Sequence, residues 1–265
     1  MDINTNLDIW NRTYDWSKEG EEWSVAWGGS DMEWYGTILP RIHAFIPTQT
    51  ILEIAPGFGR WTRFLINLCK ELVLVDLSPK CIEACKKRFS AFSHVKYHVN
   101  DGKSLEMIPD ESIDFVFSFD SLVHAEADVI ESYCNQLGKK LKRNGVGFIH
   151  HSNLGIYSAY TKIIQNLPKK ARNILERLGI IEKDFLVHNR ATTMTAVKFR
   201  DYAKRAGLIV ISQELINWST KRLIDCISVF TRADSNQRAP GIIMKNKYFI
   251  KECRYIKRLS DLYKL

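Results

Sequence analysis

The stretch Ile51-Leu52-Glu53-Ile54-Ala55-Pro56-Gly57-Phe58-Gly59-Arg60 constrains the fold more than any other part of the chain. A short apolar run enters a turn of small residues and then a helical pattern, and small residues at such a turn let a ligand approach the backbone. Seventeen residues beyond Gly59 a second apolar strand closes on Asp76. A carboxylate there can accept hydrogen bonds from both hydroxyls of a ribose. A third strand leads into Asn100-Asp101-Gly102, and a fourth ends at Ser118-Phe119-Asp120.

Between residues 50 and 151, apolar runs at 51–55, 72–75, 95–99, 113–119 and 146–149 alternate with helical stretches. That alternation predicts a parallel sheet with crossover helices. Ser78-Pro79 supplies an N-cap and a first-turn proline for a helix carrying Cys81 and Cys85, and Asn144-Gly145 is expected to end a helix at about 128–142. A Lys-, Leu- and Ile-rich section at about 155–190, interrupted by Pro168, reads as an inserted helical pair. A helix over 194–206 closed by Gly207 precedes runs at 208–218 and 223–231 that fit an antiparallel hairpin.

At 265 residues the chain suits one domain with decorations. The expected organisation is an N-terminal helical lid or cap over 1–49, a main domain over 50–232 and, over 233–265, a linker with a basic surface helix. No run is long and apolar enough to cross a bilayer and no signal peptide is visible at Met1, so cytoplasmic residence is the default expectation. The six cysteines show no C-x-x-C pair and read as reduced core thiols. The net charge of +8 favours anionic partners, whether nucleic acid, phosphorylated glycans or a membrane surface, without choosing among them. Much of the excess lies in Lys139-Lys140-Leu141-Lys142-Arg143, Lys169-Lys170, Lys198-Phe199-Arg200 and the 245–264 tail, which alternate with apolar residues as solvated helix faces do.

As a set, these residues resemble the class I S-adenosylmethionine-dependent methyltransferase family over roughly 50–151: a glycine-rich first motif preceded by an acid, an acid ending the second strand, and an acid after the third. The resemblance implies an α/β Rossmann-like fold whose mostly parallel seven-stranded sheet ends in an antiparallel hairpin. It also implies that S-adenosylmethionine is the cofactor. Glu53 would lie under the methionine amino end, with Ala55, Gly57 and Gly59 at the turn facing the cofactor. Asp76 would hold the ribose and Asp101 would reach the adenine amine, with Leu77 and Gly102 beside them in the cofactor site and Phe119 packing nearby. Ala55 departs from the family by replacing the first glycine, and Pro56 stiffens the turn. A nicotinamide dehydrogenase is the other natural reading of a glycine turn followed by an acid, but Gly57-Phe58-Gly59 is followed by Arg60-Trp61-Thr62 and not by G-x-G-x-x-G spacing.

Methyl transfer needs an aligned acceptor and, for a hydroxyl, a base. Asp120 and His124 follow the fourth strand, and His150, His151 and Asn153 end or follow the fifth. His124 equally suits capping or packing at a helix start, and strand alternation lets only one of His150 and His151 face a pocket. No complete metal-ligand set is visible. Six of the seven tryptophans fall at or before Trp61, and Trp27-Gly28-Gly29 is a candidate hinge for closing this segment over a cofactor. Aromatic faces also stack on sugar rings, as they do in ordinary core packing. The sequence further resembles bacterial methyltransferases of surface-polysaccharide synthesis, which implies O-methylation of a saccharide or glycan acceptor. The rival readings are a nucleic-acid methyltransferase, for which no Asn-Pro-Pro-Tyr type motif is present, and an inactive cofactor-binding interaction protein.

Overall fold

A computed structural model describes residues 1–182, 189–218, 220–237 and 241–263. The strands are β1 (Thr48–Ile54), β2 (Cys69–Asp76), β3 (Val95–Val99), β4 (Ile113–Ser118), β5 (Leu141–Ser152), β6 (Leu208–Ile216), β7 (Asp225–Arg232) and β8 (Ile242–Asn246). They form one sheet in the order β3-β2-β1-β4-β5-β7-β6-β8. The first five in that order run parallel, and β7 is antiparallel to both β5 and β6. This is the α/β Rossmann-like methyltransferase architecture with its antiparallel hairpin. It has eight strands instead of the seven expected, because β8 adds a parallel edge beside β6. Residues 242–246 lie where the sequence suggested linker; Ile-Ile-Met has the strand propensity to pair once an open edge is next to it.

Successive side chains of a strand point to opposite faces, and both faces of this sheet are covered, so its central strands read as continuous apolar runs. Ile51, Leu72, Leu74, Phe115, Phe117 and Phe148 pack on one side with Trp34, Ile38, Ile42 and Phe249. Leu52, Ile54, Val73, Val75 and Val116 pack on the other with Ile130, Leu137 and Phe199. The first 49 residues therefore divide: Trp34, Ile38 and Ile42 belong to the core, Trp27 is shared between the core and a cleft, and residues before it line that cleft. The last helix, Phe249–Tyr263, likewise buries Phe249, Cys253 and Ile256. The five most buried thiols and the half-buried Cys69 are all free.

One boundary differs from expectation. The helix Ala127–Lys140 passes directly into β5 when Leu141 takes an extended conformation. Asn144 and Gly145 then lie inside β5, where its register with β4 slips between the Ile113↔Leu141 and Phe115↔Val146 pairs. A Cβ on Gly145 would stand 2.7 Å from the Ile113 carbonyl oxygen, so this glycine serves close strand approach and not helix termination. The inserted helices are Ser158–Asn166 and Lys169–Arg177, broken at Pro168. The expected insertion also covers 183–188, the hairpin turn includes Ser219, and the C-terminal segment includes 238–240 and 264–265; these positions lie outside the described residues.

Strand order reverses between β1 and β4, since β1 leads on to β2 and β3 on one side while β4 and β5 lie on the other. In open α/β sheets the crevice beyond the carboxyl ends at such a reversal is where ligands bind.

Candidate active site

A cavity of about 640 Å³ opens at that reversal, with Ala55, Gly57, Asp76, Leu77, Gly102, Asp120 and His124 in its walls. The turn after β1 is left-handed at Ala55 (φ 59°), Gly57 (φ 59°) and Gly59 (φ 84°). For an alanine that conformation costs roughly 1 kcal/mol. Gly57 leaves room in the cavity, and a Cβ there would meet the Trp16 ring at 3.0 Å. Gly59 does not line the cavity. Its missing Cβ would be 2.5 Å from the Phe89 ring, so it faces the residue that follows the helix Pro79–Arg88 instead of a ligand.

The three acids of the motif set are placed differently. Asp76 is on the cavity wall, where its Oδ2 accepts the Gly57 N–H at 3.1 Å and its Oδ1 the Ser78 N–H at 2.8 Å. Burial pushes its pKa up to about 6, against the lowering effect of those N–H groups. Glu53 lies behind the turn, fully buried and outside the cavity wall, with the Thr62 hydroxyl donating to its Oε2 at 2.6 Å. Burial pushes it up to about 8, opposed by the Thr62 bond. Asp101 points into an exposed turn, its Oδ1 accepting the N–H groups of Lys103 (3.0 Å) and Ser104 (2.7 Å), while its neighbour Gly102 faces the cavity. Phe119 is a core ring, 4.8 Å from His150 and 6.0 Å from Trp61 between centroids.

On the other wall, Asp120 sits at φ 59°, its Oδ2 accepting from Arg60 Nη2 at 3.0 Å. Its N–H donates to His150 Nδ1 at 3.2 Å. That donation requires an unprotonated Nδ1, so neutral His150 carries its proton on Nε2, which lies 3.5 Å from Asp225 Oδ2. Asp225 is bridged by Arg190, whose Nε and Nη2 are each 2.9 Å from its oxygens. Burial would raise the Asp225 pKa, but the Arg190 charge and then His150 outweigh it and hold the group below the usual carboxylate range. His150 is buried behind the cavity wall, with Trp218 between them at 5.3 Å from its ring.

His151 faces the opposite side of β5. It stacks on Phe199 at 4.6 Å and bonds Ser228 Oγ and the Ser152 carbonyl, so it is a core residue with no access to the cavity. Burial pushes its pKa down to about 4. His124 does reach the cavity. Its Nδ1 is 3.0 Å from the Asn189 carbonyl, which can only accept, so Nδ1 carries the proton and Nε2 is the free acceptor. Burial, opposed by the Asn189 bond and assisted by Arg190, pushes its pKa down to about 4 and keeps it neutral at working pH.

Arg60 and Glu22 were not singled out in the sequence as wall residues, whereas the tryptophans of the N-terminal segment were. Arg60, directly after the glycine turn, lies over the rings of Trp61 (4.3 Å) and Trp23 (5.2 Å) and pairs with Asp120 and with fully buried Glu33 at 3.8 Å. Burial pushes Glu33 up to about 8, against the Arg60 charge. Trp10, Trp16 and Trp23 form a wall from the N-terminal segment, and Trp16 stacks flat on Phe58 at 4.4 Å. In the same wall Glu22 accepts the Tyr14 hydroxyl, while its other carboxylate oxygen is buried without a partner among the described residues. The adjacency of Arg60 to the motif was a usable sequence signal. The Arg190–Asp225 pair, 35 residues apart, had none.

Residues 51–145 match the family model described as a methyltransferase domain. A phosphoethanolamine N-methyltransferase of Arabidopsis thaliana is 28% identical over 117 residues, 43% of this chain. The chain spans about a quarter of that relative, 24% of its length. Among solved structures, a protein from Pyrococcus horikoshii has a TM-score of 0.55 at 19% identity, covering 88% of this chain and 99% of its own. An S-adenosylmethionine-dependent methyltransferase of Leishmania major has a TM-score of 0.59 at 14% identity, covering 86% and 82% respectively. At these identities the structural likeness establishes the fold.

Proposed function

We propose that this chain is an S-adenosylmethionine-dependent methyltransferase with a small-molecule acceptor, and that it O-methylates a saccharide or a surface-polysaccharide intermediate. The observation that carries the reading is Asp76. Its desolvated carboxylate is held open to the cavity by two backbone N–H groups, beside a left-handed turn, in the segment that matches the methyltransferase domain.

When bound, S-adenosylmethionine supplies a methyl group made electrophilic by its sulfonium. Asp76 would accept the ribose hydroxyls, and Gly57 gives the ligand close access to the backbone. Leu77 and Gly102 would flank the adenine. Asp101 acts there by shaping the Gly102 turn, and Glu53 by bracing the first motif through Thr62. Gly59 and Phe119 support the same turn and loop from the core.

On the acceptor side, the free Nε2 of His124 would take the hydroxyl proton, and Asp120, fixed by Arg60 and His150, would orient the acceptor. The Trp10 and Trp23 rings would carry a sugar face beside Glu22. Most of the rate would come from alignment. Cytoplasmic residence and contact with an anionic glycan or membrane belong to the same proposal. Among the described residues no helix is long and apolar enough to cross a membrane.

A second reading, N-methylation of an amine, rests on Glu22 lying among tryptophans, since a carboxylate beside aromatic faces also suits a cation. Amine acceptors are the kind printed for the plant relatives. Transfer of a labelled methyl group to panels of sugars, sugar phosphates and ethanolamine phosphates decides between the two. Calorimetry should first show binding of S-adenosylmethionine; no heat with either the methylated or the demethylated cofactor removes both readings. A His124→Ala variant should bind cofactor as the parent does and lose about 10² to 10⁴ of its turnover on hydroxyl acceptors. Full turnover would remove His124 as the base.

A further inference from the structure

The inserted helical pair is seated beside the cavity yet leaves one face bare. Leu154, Ile164, Ile181 and Ile224 form a small core of their own, against which Leu175 and the cavity residue Trp218 pack. Arg222 reinforces the seat from the hairpin, lying over Tyr160 at 4.2 Å and Tyr157 at 5.5 Å. The second helix, Lys169–Arg177, nonetheless contains no buried residue. Ala171 and Leu175 turn inward and are half-buried, whereas Ile174, Leu178 and Ile180 are 56%, 67% and 61% exposed.

This apolar strip is built, and is not a loose end. The helix closes with the Gly179 N–H donating to the Glu176 carbonyl and the Ile180 N–H to the Leu175 carbonyl, with Gly179 left-handed at φ 69°. That is the Schellman arrangement, which folds Ile180 back onto the last turn. Lys170 and Arg177 each lie about one turn from Ile174 on the neighbouring stripe, four residues before it and three after, and Lys169 and Arg172 stand on the remaining faces. The helix thus has four basic side chains against one acid, Glu176, and none of the four makes an ion pair among the described residues.

We propose that this face docks on an anionic phospholipid surface, with Ile174, Leu178 and Ile180 entering the interface and Lys170 and Arg177 meeting the headgroups. An amphipathic helix of high charge, low overall hydrophobicity and exposed branched aliphatic residues suits interfacial burial. A basic rim around exposed aliphatic side chains matches a surface that is both anionic and apolar beneath, as a phospholipid interface is. The charge complementarity chooses a lipid surface over a second copy of the chain, which would bring the same basic rim to its own. The same insertion packs on the cavity residue Trp218, and docking does not depend on which acceptor is methylated.

Flotation with vesicles tests this on the full chain. With vesicles of phosphatidylcholine containing about one third phosphatidylglycerol the parent should float, and with phosphatidylcholine alone it should not. The Ile174→Glu/Leu178→Glu variant and the Lys170→Glu/Arg177→Glu variant should each lower binding about tenfold or more, because burial and charge both contribute. All four side chains are exposed, so melting temperature and cofactor affinity should stay at parental values, which separates failure of docking from failure of the enzyme reading. Absence of flotation by the parent, or equal flotation by both variants, overturns the proposal. So does self-association of the parent that the same substitutions abolish, which would make a second copy the occupant.

Discussion

At the scale of single residues, the turn after β1 shows how one motif contains unlike roles. Gly57 and Gly59 look equivalent in sequence, but one leaves space in the cavity beside Trp16 and the other leaves space for Phe89. Gly59→Ala combines a left-handed backbone with a ring 2.5 Å from the new carbon. It should cost about 2–4 kcal/mol in denaturant unfolding. A cost below about 1 kcal/mol would show that Phe89 gives way freely. Asp76→Asn probes the facing role: it removes the charge and one acceptor while keeping size. Affinity for S-adenosylmethionine should fall about 10- to 100-fold in calorimetry, since hydrogen bonds to a charged group contribute about 1.5–3 kcal/mol. Unchanged affinity would mean that the ribose is held elsewhere.

At the scale of elements, Arg60 ties three segments together: the turn after β1 that carries it, the N-terminal segment through Glu33, Ser24 and Trp23, and the loop after β4 through Asp120. A methionine would fill much of the volume but leave the Asp120 carboxylate and the buried Glu33 carboxyl without the guanidinium beside them. Arg60→Met should therefore destabilise by about 3 kcal/mol or more. It should also speed proteolysis within residues 1–28 ahead of cleavage elsewhere. Uniform cleavage along the chain would show that the N-terminal wall does not depend on this arginine. His150 works at the same scale, since its Nδ1 holds the Asp120 backbone in a left-handed conformation that an aspartate would not otherwise favour.

At the scale of the whole molecule, the fold encloses carboxyls that water would otherwise solvate. Both Glu33 oxygens are buried, beside Arg60 at 3.8 Å and with no hydrogen bond of standard geometry among the described residues, and burial raises its folded pKa from 4.5 to about 8. A raised carboxyl favours folding only while it stays protonated. Its contribution is complete below the unfolded pKa of 4.5 and is lost as pH climbs to about 8. Glu33→Gln removes that dependence, so the melting temperature of the variant relative to the parent should rise between those two pH values and level off above them. A constant difference across the range would mean that Glu33 is ionised in the folded protein. Glu53 and Asp76 are raised by the same cause and should add to the parental decline.

Local order in the chain was enough for the parallel strands, the crossover helices, the antiparallel hairpin and the cavity-side position of Asp76, because each depends on periodicity, turn chemistry or the end of a single strand. Ala55, Gly57, Leu77, Gly102, Asp120 and His124 were legible as cavity residues for the same reason: they follow the carboxyl ends of parallel strands beside the reversal of order between β1 and β4. What only the tertiary structure decided was which way a side chain turns once there. The strand pleat puts His150 and His151 on opposite faces, and helix packing takes up Gly59. An exposed turn takes Asp101, and burial behind the motif takes Glu53. The edge of β6 recruits β8, and pairs such as Arg60–Glu33 and Arg190–Asp225 form only when distant segments meet. Each of those outcomes is set by contacts between residues far apart in the chain, which no local pattern encodes.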